Sequence, residues 1–200
     1  KYLGCGSTCA VFLIEDENKD ELFSAKIIAK KDIINRNMEA SILNEVQLLQ
    51  MIDHPNIIKV EDFFCLENAF QEEYYIIIME YCANGDLLSY ASQEGFIDES
   101  QQKEIIKGFL EAVKYLHRNG ISHGDIKSEN ILLDENYSPK LCDFGFCRFN
   151  QIAGDDSKSG TLFYAAPELF KPGEFDTLKT DIYAIGITIY SLSELEFPFI

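Results

Sequence analysis

The stretch that decides the fold reads His123-Gly124-Asp125-Ile126-Lys127-Ser128-Glu129-Asn130-Ile131-Leu132-Leu133, and Leu141-Cys142-Asp143-Phe144-Gly145 follows shortly after it. Two aspartates, an asparagine and a lysine stand here between short apolar runs. Together they supply hard oxygen ligands, a cation and a base, the inventory for holding Mg²⁺ and a phosphoryl group. Taken alone, the same residues also describe a polar loop followed by a D-x-G turn.

Working outward toward the N-terminus, Gly4-Cys5-Gly6 opens a turn between two strand candidates, with Val11 beyond it. Glycines in such a turn let backbone N–H groups approach phosphate oxygens closely; a plain hairpin turn explains them equally well. Lys26 sits mid-strand in Phe23-Ser24-Ala25-Lys26-Ile27, where a lysine among apolar neighbours is costly unless paired. Glu45 lies on the following helix, on the face it shares with Ile42 and Leu49. A strand–helix return can close the two into an ion pair; otherwise both are surface charges.

The hydrophobic pattern places these residues. Val11 to Ile14 is a short apolar run, Glu15 to Asp20 a polar turn, and Leu22 to Ala29 a strand. Ile42, Val46 and Leu49 recur at helical spacing and predict a helix over Met38 to Met51, ended by His54-Pro55-Asn56. Tyr74 to Met79 suits a buried strand. After Asn84-Gly85 the character changes: Ile105, Phe109, Val113 and Leu116 predict a helix over Gln101 to Arg118, stopped by Gly120. A buried helix is expected from Asp181, and its apolar stretch Ile182 to Leu192 is too short to span a bilayer. A strand-rich part joined to a helix-rich part reads as α+β with two lobes, the join near Glu80 to Gly85.

With 46% hydrophobic and 12% aromatic residues in 200, the chain has the composition of an ordered globular protein. A formal net charge of -17 argues against nucleic acid or an anionic membrane as the main partner and is compatible with basic peptides or proteins. The six cysteines show no C-x-x-C spacing and no disulfide framework, which points to a reducing, intracellular compartment, cytoplasmic or nuclear. Both ends read as cuts through a longer protein, and a stretch ending Phe197-Pro198-Phe199-Ile200 is expected to continue.

In order along the chain, these segments resemble the motifs of protein kinases: the glycine-rich loop (Gly4 to Val11), the strand lysine (Lys26), the H-R-D-L-x-x-x-N run (His123 to Asn130), D-F-G (Asp143 to Gly145) and A-P-E (Ala166-Pro167-Glu168). The resemblance implies a bilobal α+β fold: a strand-rich N-lobe over 1–80, a hinge over 80–85, and a helical C-lobe over 86–200 that lacks its final helices. It implies ATP as phosphoryl donor and Mg²⁺ as cofactor. Gly4, Gly6 and Val11 would cover the nucleotide, Lys26 would grip its phosphates, oriented by Glu45, and Met79 would be the gatekeeper. Glu80 to Cys82 would meet the adenine, Asp86 the ribose, and Leu132 would line the ATP pocket. Asp125 would accept the proton of the substrate hydroxyl and Lys127 would neutralise charge on the transferred group, while Asn130 and Asp143 would hold the metal. His123, Phe144 and Asp181 would be structural. Arg148, Ser157, Ser159, Thr161 and Glu168 would belong to the activation segment.

Lys127 two residues after Asp125, with Gly160-Thr161 before Ala166-Pro167-Glu168, is similar to the serine/threonine pattern, and the wording is similar to the calcium/calmodulin-dependent and AMP-activated group. Protein substrates, basic ones read by Asp86 and Glu129, follow as an expectation. Four residues depart from the family. Cys9 replaces the third loop glycine and Ser128 a proline. Ser24 replaces an alanine and, if unsatisfied, costs roughly 1 kcal/mol. Gly124 replaces the arginine before the catalytic aspartate, which is expected to loosen the loop by roughly 0.5–1 kcal/mol relative to alanine. The alternative function is a pseudokinase, a nucleotide-binding scaffold without phosphotransfer; the presence of Lys26, Asp125 and Asp143 speaks against it.

Overall fold

The computed structural model describes residues 1–6, 9–35, 38–94, 97–149, 152–154 and 160–199. The chain divides into two units, Lys1–Asp53 with Ile58–Cys82, and His54–Ile57 with Ala83–Ile200.

The first unit is a five-stranded antiparallel sheet with two helices. Its strands are β1 (Tyr2–Cys5), β2 (Cys9–Asp16), β3 (Glu21–Ala29), β4 (Val60–Glu67) and β5 (Glu73–Glu80), in the order β1-β2-β3-β5-β4. A short helix α1 (Lys30–Asn35) leaves β3 directly and precedes α2 (Glu39–Met51). Sequence periodicity finds β2, β3, β5 and α2 but not β1, β4 or α1. In β4 the pattern is masked because only Val60 is buried while Phe63 and Phe64 are half-exposed. The core of this unit gathers Ala25 and Ile28 of β3, Ile77 of β5 and Ile42, Val46 and Leu49 of α2.

The second unit is mainly helical: α3 (Leu87–Glu94), α4 (Glu99–Arg118) and α5 (Thr177–Glu194), with the two-stranded ribbons β6 (Ile131–Leu133)–β7 (Pro139–Leu141) and β8 (Ile152–Ala153)–β9 (Phe175–Asp176). The long helices begin earlier than their apolar periodicity, and the reason is capping. The Asp98 carboxylate accepts from the N–H groups of Ser100 and Gln101, and that of Asp176 from Leu178 and Lys179, satisfying amides that the first turn leaves orphaned. The helix expected from Asp181 therefore starts four residues before it, at Thr177. Phe109 and Leu116 of α4 are fully buried, each stabilising by about 1.5–3 kcal/mol. Gly108 lets this helix approach closely, since a Cβ there would stand 2.7 Å from Pro139 Cγ and 2.9 Å from Asn56 Nδ2. That contact is one reason His54–Ile57 sits with the second unit, together with the Asn56 amide donating to the Pro139 carbonyl at 3.0 Å. No helix among the described residues is long and apolar enough to cross a membrane.

Candidate active site

Between α4 and β6 the chain runs as an irregular loop, 121–127, followed by a single 3₁₀ turn, Ser128–Asn130. Its anchor is Asp181 of α5, buried to 2% exposure. One carboxylate oxygen, Oδ2, accepts from the His123 N–H at 2.8 Å and contacts His117 Nε2 at 2.9 Å; Oδ1 accepts from the Gly124 N–H at 2.9 Å. A buried carboxylate survives only when its lone pairs are filled, and three donors do so here. His117, at the end of α4, was not singled out in the sequence; the signal available was a histidine in the last turn of a helix just ahead of the loop.

His123 is fully buried and is fixed through both ring nitrogens. Its Nε2 lies 3.0 Å from the Cys142 carbonyl, which can only accept, so Nε2 carries the proton. Nδ1 is then the acceptor for the Asp125 N–H at 3.2 Å. The ring meets Phe144 edge-on, with centroids 5.0 Å apart. Asp143, between Cys142 and Phe144, adopts left-handed backbone with φ of 63°.

The Asp125 carboxylate, 5% exposed, is the centre of the loop. Lys127 Nζ donates to Oδ2 at 2.7 Å, the Thr161 hydroxyl to Oδ1 at 2.8 Å, and Asn130 Nδ2 to Oδ2 at 3.1 Å and to the Asp125 carbonyl at 2.8 Å. Lys127 also donates to Thr161 Oγ1 at 2.8 Å, closing a triangle. Burial pushes the Asp125 carboxyl up, but the hydrogen bonds from Lys127 and Thr161 and the charge of Lys127 outweigh it and hold it below the usual range. The group is therefore an anion at neutral pH. The direct bond from Thr161 to the carboxylate is invisible to sequence, because 36 residues separate the pair.

Gly124 corrects the sequence reading. Its φ is +83°, and a Cβ would stand 2.6 Å from the Phe146 carbonyl oxygen. Glycine is thus the residue this backbone requires, and does not loosen the loop relative to alanine. A cavity of about 30 Å³, large enough for about one water, adjoins it, lined by Ser122, Arg148, Gly160, Thr180 and Asp181 among others. Arg148 joins Ser122 through a pair of backbone hydrogen bonds at 2.9 and 3.0 Å. Glu168 lies in the 3₁₀ turn Pro167–Phe170. Ser157 and Ser159 lie outside the described residues.

Glu129 and Asp86 are both partly engaged. Tyr164, buried, donates its hydroxyl to Glu129 Oε2 at 3.1 Å; burial, with Glu129 beside it, pushes this phenol up to about 12. Asp86 caps α3, Oδ1 accepting from the Ser89 N–H at 2.8 Å and Oδ2 from its hydroxyl at 2.7 Å, while its backbone bridges to Leu132.

In the first unit, Gly4 of β1 pairs with Val11 of β2, and Val11 pairs with Lys26 of β3, so the three lie in one row across the sheet. Gly6 closes the hairpin, its N–H donating to the Cys9 carbonyl at 3.0 Å. Lys26 Nζ meets Glu45 Oε1 of α2 at 3.2 Å, with Glu45 buried. Glu80 is tied to Lys59, its carboxylate accepting the Lys59 N–H at 2.8 Å, and Cys82 is buried at the end of the unit. Ser24 is satisfied: its hydroxyl donates to the Glu80 carbonyl at 3.1 Å, so the desolvation cost expected from the sequence does not arise.

The family of the protein kinase domain matches residues 1–200. The chain is 34% identical over 200 residues to serine/threonine-protein kinase SIK1 of Mus musculus, covering all of this chain and 25% of that protein. It is 32% identical over 211 residues to serine/threonine-protein kinase cds1 of Schizosaccharomyces pombe, covering all of this chain and 45% of that protein. It is 31% identical over 199 residues to the carbon catabolite-derepressing protein kinase of Secale cereale, covering 96% of this chain and 38% of that protein. The chain thus spans less than half the length of these relatives. With an anionic Asp125 braced by Lys127, Asn130 and Thr161, Lys26 paired with the buried Glu45, and a family match over its whole length, this chain belongs to the protein kinase domain family.

Proposed function

We propose that the protein carrying this chain is a serine/threonine protein kinase that transfers the γ-phosphoryl group of ATP to hydroxyls of protein substrates. The observation that carries the reading is the Asp125 carboxylate, buried, anionic and oriented by three side chains. An anion so held can accept the proton of an incoming hydroxyl as its oxygen bonds to phosphorus and the β,γ-bridging bond breaks. Thr161 already presents a hydroxyl to Oδ1, the kind of donor a substrate would offer there. Lys127, within 2.7 Å of the same carboxylate, offers a cation for charge developing on the transferred group. In the first unit Gly4, Gly6, Val11, Lys26, Glu45, Glu80 and Cys82 are assigned to the nucleotide; in the second, Asp86 and Leu132 are.

The second unit also fits a magnesium ion. Asn130 spends its amide nitrogen on Asp125, which leaves the amide oxygen as its acceptor, and Asp143 supplies a carboxylate. No cluster of three or more acidic, histidine or cysteine side chains suited to a metal occurs among the described residues. Mg²⁺ is usually held by one or two protein oxygens together with phosphates and water, and Asn130 and Asp143 would supply two. When bound it would neutralise phosphate charge. The strongly negative chain favours basic substrates, with Glu129 and Asp86 as contacts, although each already holds one internal partner. The scatter of the six cysteines, with no C-x-x-C spacing, supports a reducing, intracellular setting.

Asp125→Asn in the full-length protein should lower kcat by about 10²-fold or more while ATP binding persists. Wild-type-like turnover of that variant would remove Asp125 from the mechanism. A wild-type protein that binds nucleotide but transfers nothing to any peptide would establish the scaffold instead.

A further inference from the structure

The two carboxylates of α2, Glu39 and Glu45, both reach the sheet. Glu45 meets Lys26 of β3, and Glu39 Oε1 accepts the Tyr75 hydroxyl of β5 at 2.6 Å. We propose that Tyr75 is a positioning residue: its bond to Glu39 latches the first turn of α2 to the sheet and so keeps Glu45 at Lys26.

Register supports the latch. Ile28 pairs with Tyr75 and Lys26 with Ile77 across β3 and β5, so Lys26 and Tyr75 project from the same face, two residues and one strand apart. That diagonal is about 8 Å at a rise of about 3.3 Å per residue and a strand spacing of about 4.8 Å. Glu39 and Glu45 are six residues apart, about 9 Å along a helix. The two pairs therefore act as rungs of nearly equal spacing, and fixing one sets the height of the other. The residue before the helix, Met38, offers no side-chain cap, so α2 gains no fixation of its first turn from that position.

The Tyr75 ring is itself held. It is buried, packs on Phe63 with centroids 5.5 Å apart, and has Lys30 Nζ 5.5 Å from its centroid. Lys30 is in turn paired with Glu73 at 3.2 Å. The hydrogen bond to Glu39, with burial, pushes the Tyr75 phenol up, so it stays a neutral donor to an anionic acceptor. Such charge-assisted bonds are about twice as strong as neutral ones.

The catalytic consequence rests on the kinase reading; the latch does not. Tyr75→Phe in the full-length protein keeps the ring and removes only the hydroxyl. KM for ATP should rise about five- to tenfold with kcat down less than about threefold, and amide exchange across residues 39–45 should quicken about tenfold. Glu39→Ala should match it, and the double variant should be no worse than either single change within about twofold, because one bond is lost in all three. Unchanged KM and exchange in Tyr75→Phe, a fall in Tm without any change in KM, or losses that multiply in the double variant would overturn the proposal. If the wild type transfers no phosphoryl group, the kinase reading fails and the exchange rates alone decide the latch.

Discussion

Replacing Gly124 by alanine tests the structure against the sequence most sharply, because the two give opposite signs. By composition, alanine should stiffen the loop and stabilise by roughly 0.5–1 kcal/mol. In the structure the residue sits at φ +83°, and an added Cβ would meet the Phe146 carbonyl oxygen at 2.6 Å. Left-handed backbone costs an L-residue about 1–2 kcal/mol, and relief of the contact must move a backbone carbonyl or Gly124 itself, adding about 1–3 kcal/mol as in overpacked cores. The Gly124 N–H cannot shift freely, since it donates to the buried Asp181 at 2.9 Å. A net loss of about 2–4 kcal/mol is expected, or a Tm lower by roughly 5–15 °C for a domain of this size. Thermal unfolding of the complete kinase domain, wild type beside Gly124→Ala, measures it. Equal or higher Tm in the variant would refute both the backbone geometry and the steric reasoning.

Three further outcomes follow from the same loop. Thr161→Val removes a donor from the Asp125 carboxylate and should lower kcat about 5- to 100-fold, an unmade bond at a buried acceptor costing about 1–3 kcal/mol, whereas Thr161→Ser should retain most activity; steady-state assays with a peptide substrate separate them. Lys127→Met should reveal linkage. The Asp125 carboxyl is depressed in the folded wild type, so its stabilisation is full above the unfolded carboxylate pKa and lost as pH falls through the lower folded value; the urea stability gap between wild type and variant should therefore be largest near neutrality and close in acid. The double change Ser157→Ala and Ser159→Ala, at positions outside the described residues, should alter kcat by less than about tenfold, read on protein purified with and without phosphatase treatment.

The parts of the fold legible in the sequence are those where one residue pattern dominates. Helix α4 announces itself through Ile105, Phe109, Val113 and Leu116, all buried. Strand β5 is an apolar run and lies between two neighbours in the sheet. Strand β1 carries no period of its own, because its four residues are largely exposed and include a register shift between Tyr2 and Gly4, and only the glycine turn hints at it. Helix α1 escapes because six residues with one buried side chain carry no period. At the site, residue types were legible from local order, whereas the Lys26–Glu45 pairing followed only from the resemblance to protein kinases. What the sequence could not carry was which side chains fill one another's lone pairs across long separations. Thr161 to Asp125, Tyr164 to Glu129 and His117 to Asp181 are tertiary facts with no local signature. Gly124 shows the opposite failure: a propensity valid for average backbone is reversed by one positive φ.

These long-range bonds also bear on how the proposed activation segment could act on the proposed base, Asp125. Where an arginine precedes the catalytic aspartate, charge offers a route from a loop phosphate to the catalytic loop. Here that position is a glycine with no side chain, and the adjoining cavity of about 30 Å³ has room for about one water. The segment reaches the loop by other means. Thr161 binds Asp125 and Lys127 directly, Tyr164 binds Glu129, and Arg148 and Ser122 exchange backbone hydrogen bonds. None of these bonds needs a phosphate to form, and two of them involve buried groups whose loss would strand an acceptor. The proposed base is thus held by the Lys127 ammonium together with the Thr161 hydroxyl, and we expect that hold to persist on dephosphorylation.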